Sequence, residues 1–262
     1  METVSSSQTV VISSSDSQSV SRQFAVQGET YLVMMIEGDR KLDLQLEVRA
    51  LEGSRMTFLL INHNREEVIL HDSYHLEADS ESVIAYCQLN DYPLQADGEY
   101  HLDGQGASLK VQNAAMTSDN KVFRQNTLHN ERNTTANVNN YGIAMKGGSC
   151  DFDVRNRIGK GCHGSETHQT SRILTYDSQS RGRILPVLYI DDNDVRASHA
   201  ATMGQPDRDQ IFYMQTRGLS YQEAMKLITV GYLLPVSEVI DDENINSLLR
   251  QEIETKVSEC LM

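Results

Sequence analysis

Leu42-Asp43-Leu44-Gln45-Leu46-Glu47-Val48-Arg49 alternates apolar and polar residues without a break, and Cys150-Asp151-Phe152-Asp153-Val154-Arg155 repeats the pattern far downstream. Period two sends successive side chains to opposite faces, so both stretches read as strands. Further strand candidates are Met56–Ile61, Val68–Leu70, Val83–Leu89, Ser108–Val111, Arg172–Tyr176 and Val187–Ile190. Turn pieces separate them: Glu52-Gly53-Ser54, Asp97-Gly98, Asp103-Gly104 and Lys146-Gly147-Gly148. Between residues 28 and 203 no apolar pattern holds helical spacing over three turns, which removes the crossover helices a doubly wound fold needs. Asn-Gly hairpin signals are also absent, Asn residues crowd positions 126 to 140, and several strands carry polar residues on both faces. A solenoid of parallel strands stacked rung on rung fits these features at least as well as a sandwich does. Lys146-Gly147-Gly148 and Lys160-Gly161-Cys162 echo each other, but one echo defines no period. The residues alone leave solenoid and sandwich both open.

Outward from this β region the composition changes on each side. Residues 1–27 are rich in Ser and Gln, with strand-like pieces only at Thr9–Ile12 and Phe24–Val26, and read as a tail or a polar edge strand. Residues 28–205 form the β core, and residues 206–262 a helical unit. There Asp207 caps a helix over Arg208–Arg217 that Gly218 stops. Ser220-Tyr221-Gln222-Glu223 is a capping box for a second helix expected to bury Ala224, Met225, Leu227, Ile228 and Tyr232 before Pro235. A last helix, Asp242 to about Val257, carries Ile245, Leu248, Leu249 and Ile253 on one stripe. Such stripes can cover the open end of a β stack or receive a partner.

The chain has 262 residues, with 23 Lys and Arg against 37 Asp and Glu and a formal charge of −14. That balance argues against nucleic acid or anionic lipid as partner, since both need a basic face. The longest apolar run, Tyr31–Ile36, is far too short to cross a bilayer. No basic residue precedes Arg22 and no hydrophobic segment resembles a secretory signal, so a cytoplasmic location is expected. The four cysteines, Cys87, Cys150, Cys162 and Cys260, form no CxxC pair and read as buried thiols.

GxxxxGK[ST], HExxH and GxSxG are all absent from the sequence. Cys162, His163, Glu166 and His168 place four potential metal ligands within seven residues, and soft Cys with His suits iron or zinc. Their spacing is irregular and neighbours on a strand point apart, so a polar strand and turn bonded to the next rung is the competing reading. His199 likewise reads either as a ligand or as a hydrogen-bonded histidine. Phe212 and Tyr213 on the first helix read as core or as recognition surface.

Pro186-Val187-Leu188-Tyr189-Ile190, then Ser198-His199-Ala200-Ala201-Thr202-Met203-Gly204, then Phe212-Tyr213-Met214-Gln215-Thr216-Arg217-Gly218 form a chained signature. It closely resembles the C-terminal core of the SufB/SufD family of iron-sulfur cluster assembly proteins. The resemblance is good from about 135 to 235, including Ser165–Leu174 and Asn139–Gly147, and weak before it.

That resemblance implies a mainly β fold, a flattened parallel β-helix followed by a small helical domain. It implies a non-catalytic scaffold subunit that pairs through its β-helix, with a SufB-like subunit or a second copy of itself, and docks a SufC-like ABC-type ATPase through its helices. A transient iron-sulfur cluster, or iron, would be its only cofactor. His199 matches the histidine of SufD-type members implicated in iron or cluster handling, with Cys162 and His168 as weaker candidates. Val187–Asp191 lacks the essential cysteine of SufB-type members, so the chain looks SufD-like. Gln210, Phe212, Tyr213, Arg217 and Leu219 match the region that contacts the ATPase. The sequence departs from the family in carrying His199-Ala200-Ala201-Thr202 instead of His-Gly-Ala-Thr, and in having no N-terminal helical domain.

Two other readings use the same residues. One is a stand-alone regulatory or binding homodimer that keeps the fold without cluster assembly. The other is a carbohydrate-active β-helix enzyme using Asp191, Asp192 and Asp194, which the absence of Trp disfavours.

Overall fold

A computed structural model describes residues 1–238 and 240–261. One eight-stranded sheet contains, in spatial order, β1 (Glu2–Val4), β3 (Ser19–Val26), β5 (Leu42–Ala50), β7 (Val68–Leu76), β9 (Leu94–Leu102), β11 (Asn120–His129), β13 (Ser149–Ile158) and β15 (Arg181–Ile190). The second contains β2 (Gln8–Ser13), β4 (Glu29–Glu37), β6 (Arg55–Asn62), β8 (Glu81–Gln88), β10 (Ser108–Thr117), β12 (Thr135–Ala144), β14 (Glu166–Thr175) and β16 (Arg196–Gly204). The chain thus alternates between sheets, and strands two apart in sequence pair in parallel. This is a parallel β-solenoid with two flat faces, and it removes the sandwich alternative.

The alternation in the sequence is the inward and outward alternation of the rungs. On β5, Leu42, Leu44, Leu46, Val48 and Ala50 point inward and are buried, and Val68, Leu70, Tyr74 and Leu76 continue their columns on β7. The turns between rungs must let backbones pass closely. At Gly104 a Cβ would lie 1.9 Å from the amide nitrogen of Ala78, so only glycine fits. Asp97-Gly98, expected as a turn, instead lies inside β9. Gly98 faces inward, and a Cβ there would meet the Tyr100 hydroxyl at 2.8 Å; the glycine makes room for a buried ring.

The first 26 residues contribute β1 and β2, the end strands of the two sheets, and β3, which pairs with β5 in full register.

Helix α1 (Arg208–Thr216) begins at Asp207, whose carboxylate accepts from the amides of Asp209 and Gln210, and Gly218 follows it at φ +95°. Helix α2 (Tyr221–Leu233) has the expected capping box between Ser220 and Glu223. Its buried side chains are Ala224, Met225, Thr229 and Leu233. Leu227, expected inside, is 51% exposed, because two steps from Met225 turn the helix by about 200°. Pro235 lies in a 3-10 turn, Leu234–Val236, and helix α3 (Glu243–Leu261) follows, with Asp242 accepting from the amides of Asn244 and Ile245.

The apolar stripe of α3, Ile245, Leu249, Ile253 and Val257, does not cover the end of the stack. It packs sideways on outward-facing residues of the even-numbered sheet, among them Leu59, Ile61, Cys87 and Met116. Those strands lose their alternation there: β6 is buried at every position after Arg55. Apolar residues on both faces need cover on both faces, and each fully buried aliphatic side chain contributes about 1.5–3 kcal/mol. The end at β15 and β16 stays open.

Candidate functional site

The two ends of the solenoid differ. At the N-terminal end the terminal strands are short, 3 residues in β1 and 6 in β2. At the other end β15 and β16 have 10 and 9 residues, and every residue of β16 is exposed. Long exposed end strands present a template for another chain, which proteins usually blunt. Tyr189 at 50% exposure and Met203 at 55% add apolar surface to this rung.

His199 lies within β16, not in a turn after a strand as its Ser-His context suggests. It stands opposite Gln169 of β14, which continues the inward column Val111, Val138, Gln169. Gln169 is buried and donates to the Val187 carbonyl at 3.1 Å, closing the interior beneath His199. His199 therefore occupies a core column on a rung that has no rung above it. An imidazole in that place offers a borderline-soft nitrogen to whatever meets the end of the stack.

Cys162 and His168 do not join it. Cys162 is buried in the turn before β14, its thiol donating to the His129 carbonyl at 3.1 Å, and burial raises its pKa. His168 faces outward, with Nδ1 2.7 Å from the Ser198 hydroxyl and Nε2 4.0 Å from Glu166. Cys87 and Cys150 are buried as well, and burial pushes the Cys150 thiol up to about 12, which keeps it protonated and a poor nucleophile. Cys260 is half-buried.

Helix α1 presents the other set. Only Ile211 is buried, against Ala224 and Met225, while Phe212 is 67% and Tyr213 58% exposed. They are surface, not core. The Arg217 guanidinium lies over the Tyr213 ring at 5.2 Å and donates to its hydroxyl at 3.0 Å, pre-ordering both side chains. Gln210 and Arg217 are exposed and Leu219 is half-buried. Tyr221 and Leu227, which no local sequence signal groups with them, are exposed on α2. Exposed aromatics beside Arg have the composition of interface anchors.

A family model described as the SufBD core domain of the SUF system for FeS cluster assembly matches residues 10–232. The chain is 30% identical over 164 residues to the iron-sulfur cluster assembly protein SufD of Bacillus subtilis, covering 63% of this chain and 36% of that protein. To SufD of Escherichia coli it is 25% identical over 162 residues, 61% of this chain and 37% of the other. To SufB of Bacillus subtilis it is 23% identical over 133 residues, 50% and 29%. The matched part is thus about a third of each of these relatives. Among the described residues no helix is long and apolar enough to cross a membrane.

Proposed function

The chain belongs to the SufB/SufD family, whose model spans most of its length, and from that premise we propose that it is a non-catalytic scaffold subunit for iron-sulfur cluster assembly. It pairs end to end through β15 and β16 with a SufB-like subunit or a second copy of itself. It docks a SufC-like ATPase through α1, working in the cytoplasm with no nucleic acid or membrane as partner. A transient cluster, or iron, is handled at the pairing seam as cargo.

The observation that carries this reading is the open end rung. β16 exposes small residues, Ala197, Ala200 and Ala201, that let a partner backbone approach, and it carries His199 in a column that a facing rung would enclose. Pairing there would continue two sheets at once. Backbone hydrogen bonds add about 0.5–1.5 kcal/mol each, so a nine-residue edge supplies substantial affinity. The ATPase would use Phe212, Tyr213 and Arg217, and motion of the docked ATPases would reach the seam through the short connection between β16 and α1.

The test uses the full chain with its co-expressed SufB-like and SufC-like partners. Ala201→Pro removes one N–H from the open edge, since Arg196 and every second residue after it donate to β14 instead, and should abolish pairing in light scattering while the melting temperature stays within a few degrees. Tyr213→Asp should weaken ATPase binding at least tenfold with pairing intact. A protein that pairs only with itself and binds no ATPase would instead be the stand-alone homodimer.

A further inference from the structure

The eight histidines of the chain are not evenly spread: His71, His75 and His101 share the outer face of the odd-numbered sheet, far from the end rung. His75 of β7 pairs in register with His101 of β9. Adjacent rungs of a parallel sheet stand about 4.8 Å apart, so two identical residues in one column must stack. Their imidazoles do so, with centroids 4.6 Å apart and planes at 7°. Asp103, just past the end of β9, brings a carboxylate oxygen to 2.7 Å from His75 Nδ1. One ligand atom from each of the three lies within 4.8 Å of the others, and among the described residues this is the one such group of His, Cys, Asp or Glu.

The surroundings are built as a metal site is built. Nε2 of His75 is 3.4 Å from the Ser73 hydroxyl, and Nε2 of His101 is 3.4 Å from Glu99 Oε2. Ser73 and Glu99 are themselves in register, so each rung supplies a histidine and, two residues earlier, a partner for its outer nitrogen. That arrangement gives each Nε2 a partner for its proton once Nδ1 takes a ligand, and an imidazole N–H donated to a carboxylate gains basicity. Asp103 is held in turn by Asn130, whose amide donates to Oδ1 at 2.7 Å. The two histidine side chains are largely shielded by the sheet, at 26% and 21% exposure, while the carboxylate is more open at 38%.

We propose that His75, His101 and Asp103 form a binding site for a divalent first-row transition ion, Zn²⁺ or Fe²⁺. Two neutral imidazoles and one carboxylate are the donor set both ions accept, with remaining positions open to water or a further ligand. An ion with bonds of about 2.0–2.2 Å draws its ligands to roughly 3–3.5 Å from one another, which small side-chain rotations supply on a rigid sheet. On binding, the His75 Nδ1 proton that now donates to Asp103 moves to Nε2, where the Ser73 hydroxyl accepts it. No oxidant or other reactant is needed. The site is independent of His199 and of pairing.

Tag-free full-length protein is titrated with Co²⁺, whose visible bands report departure from octahedral water, and bound Co²⁺ is then competed with Zn²⁺ or, without oxygen, Fe²⁺. The wild type should bind one equivalent and melt at higher temperature with Zn²⁺. His101→Ala and His75→Ala should each weaken binding at least tenfold, Asp103→Asn should weaken it less, and His71→Ala should leave it unchanged. The melting temperature of each variant without metal reports its folding. Absence of binding by the wild type at 100 μM Co²⁺ and Zn²⁺, binding unchanged in a folded His75→Ala/His101→Ala double variant, or equal loss in His71→Ala would each overturn the proposal.

Discussion

His63 Nε2 and Glu252 Oε2 lie 2.9 Å apart, joining the turn after β6 to the middle of α3 across 189 residues of sequence. The hydrogen bond to Glu252 raises the His63 pKa above its ordinary value against the opposing effect of burial, and the bond from His63 lowers that of Glu252. A raised histidine pKa stabilises the fold fully below the unfolded value and loses that effect as pH rises through the folded value. A lowered carboxylate pKa stabilises above its unfolded value. The pair therefore contributes from somewhat above pH 4.5 to the raised His63 value beyond 6.5, and both partners are partly exposed, which limits its worth to about 1 kcal/mol or less. Glu252→Gln should lower the melting temperature at pH 6 and have a smaller effect at pH 8.5. An equal effect at both values would show that the pair is not ionic.

Asp72 sits on β7 facing inward, fully buried, with the Tyr86 hydroxyl donating to it and Tyr74 and Tyr100 beside it. Burial pushes its pKa up to about 7 despite that hydrogen bond. For a carboxyl raised this way the sign is the reverse of the usual acid: its contribution to stability is fully present below the unfolded value, near 3.8, and is lost as pH rises through 7. Asp72→Asn, which keeps an acceptor for Tyr86, should match the wild type near pH 4 and be more stable at pH 8, by roughly 1–3 kcal/mol. Melting curves across that range decide it; a difference that stays flat with pH would mean Asp72 does not titrate there.

Gly98→Ala should destabilise by about 1–3 kcal/mol, because the added methyl meets the Tyr100 hydroxyl at 2.8 Å in a closed interior. Pairing it with Tyr100→Phe removes the nearest obstacle, so chemical unfolding of the double variant should show a smaller loss than the two single losses added.

The same position shows how far the sequence could be read. Period two at Leu42–Val48 and Cys150–Val154 identified strands, and the caps at Asp207 and Ser220 identified helix starts, because these signals are local. Asp97-Gly98 misled because its glycine serves a ring in its own strand and a carboxyl one rung away. No repeat was visible because the rungs lengthen: Ser19 pairs with Asp43, 24 positions on, whereas Ser149 pairs with Arg181, 32 positions on. The cluster of His75, His101 and Asp103 was hidden for the same reason, since only register brings residues 26 positions apart into one column. The placement of α3 depended on outward residues such as Leu59 and Cys87, whose second buried face appears only once the sheets are stacked.

His199→Ala tests the end rung directly. The side chain is exposed on a terminal strand, so its loss should leave the core columns intact and change stability by no more than about 0.5 kcal/mol. It stands opposite Gln169, whose hydrogen bond to the Val187 carbonyl closes the interior below, so little else on that column offers a nitrogen ligand to a facing subunit. In the reconstituted complex with its paired subunit and ATPase, iron and acid-labile sulfide per complex should fall severalfold in the variant, with pairing, ATPase binding and melting unchanged. His199→Cys, which restores a soft ligand at the same place, should recover part of the loading, whereas His199→Gln should not. Equal iron and sulfide in wild type and His199→Ala at equal melting temperature would make His199 a bystander on the end strand, and cluster handling would then have to be sought on the partner's side of the seam.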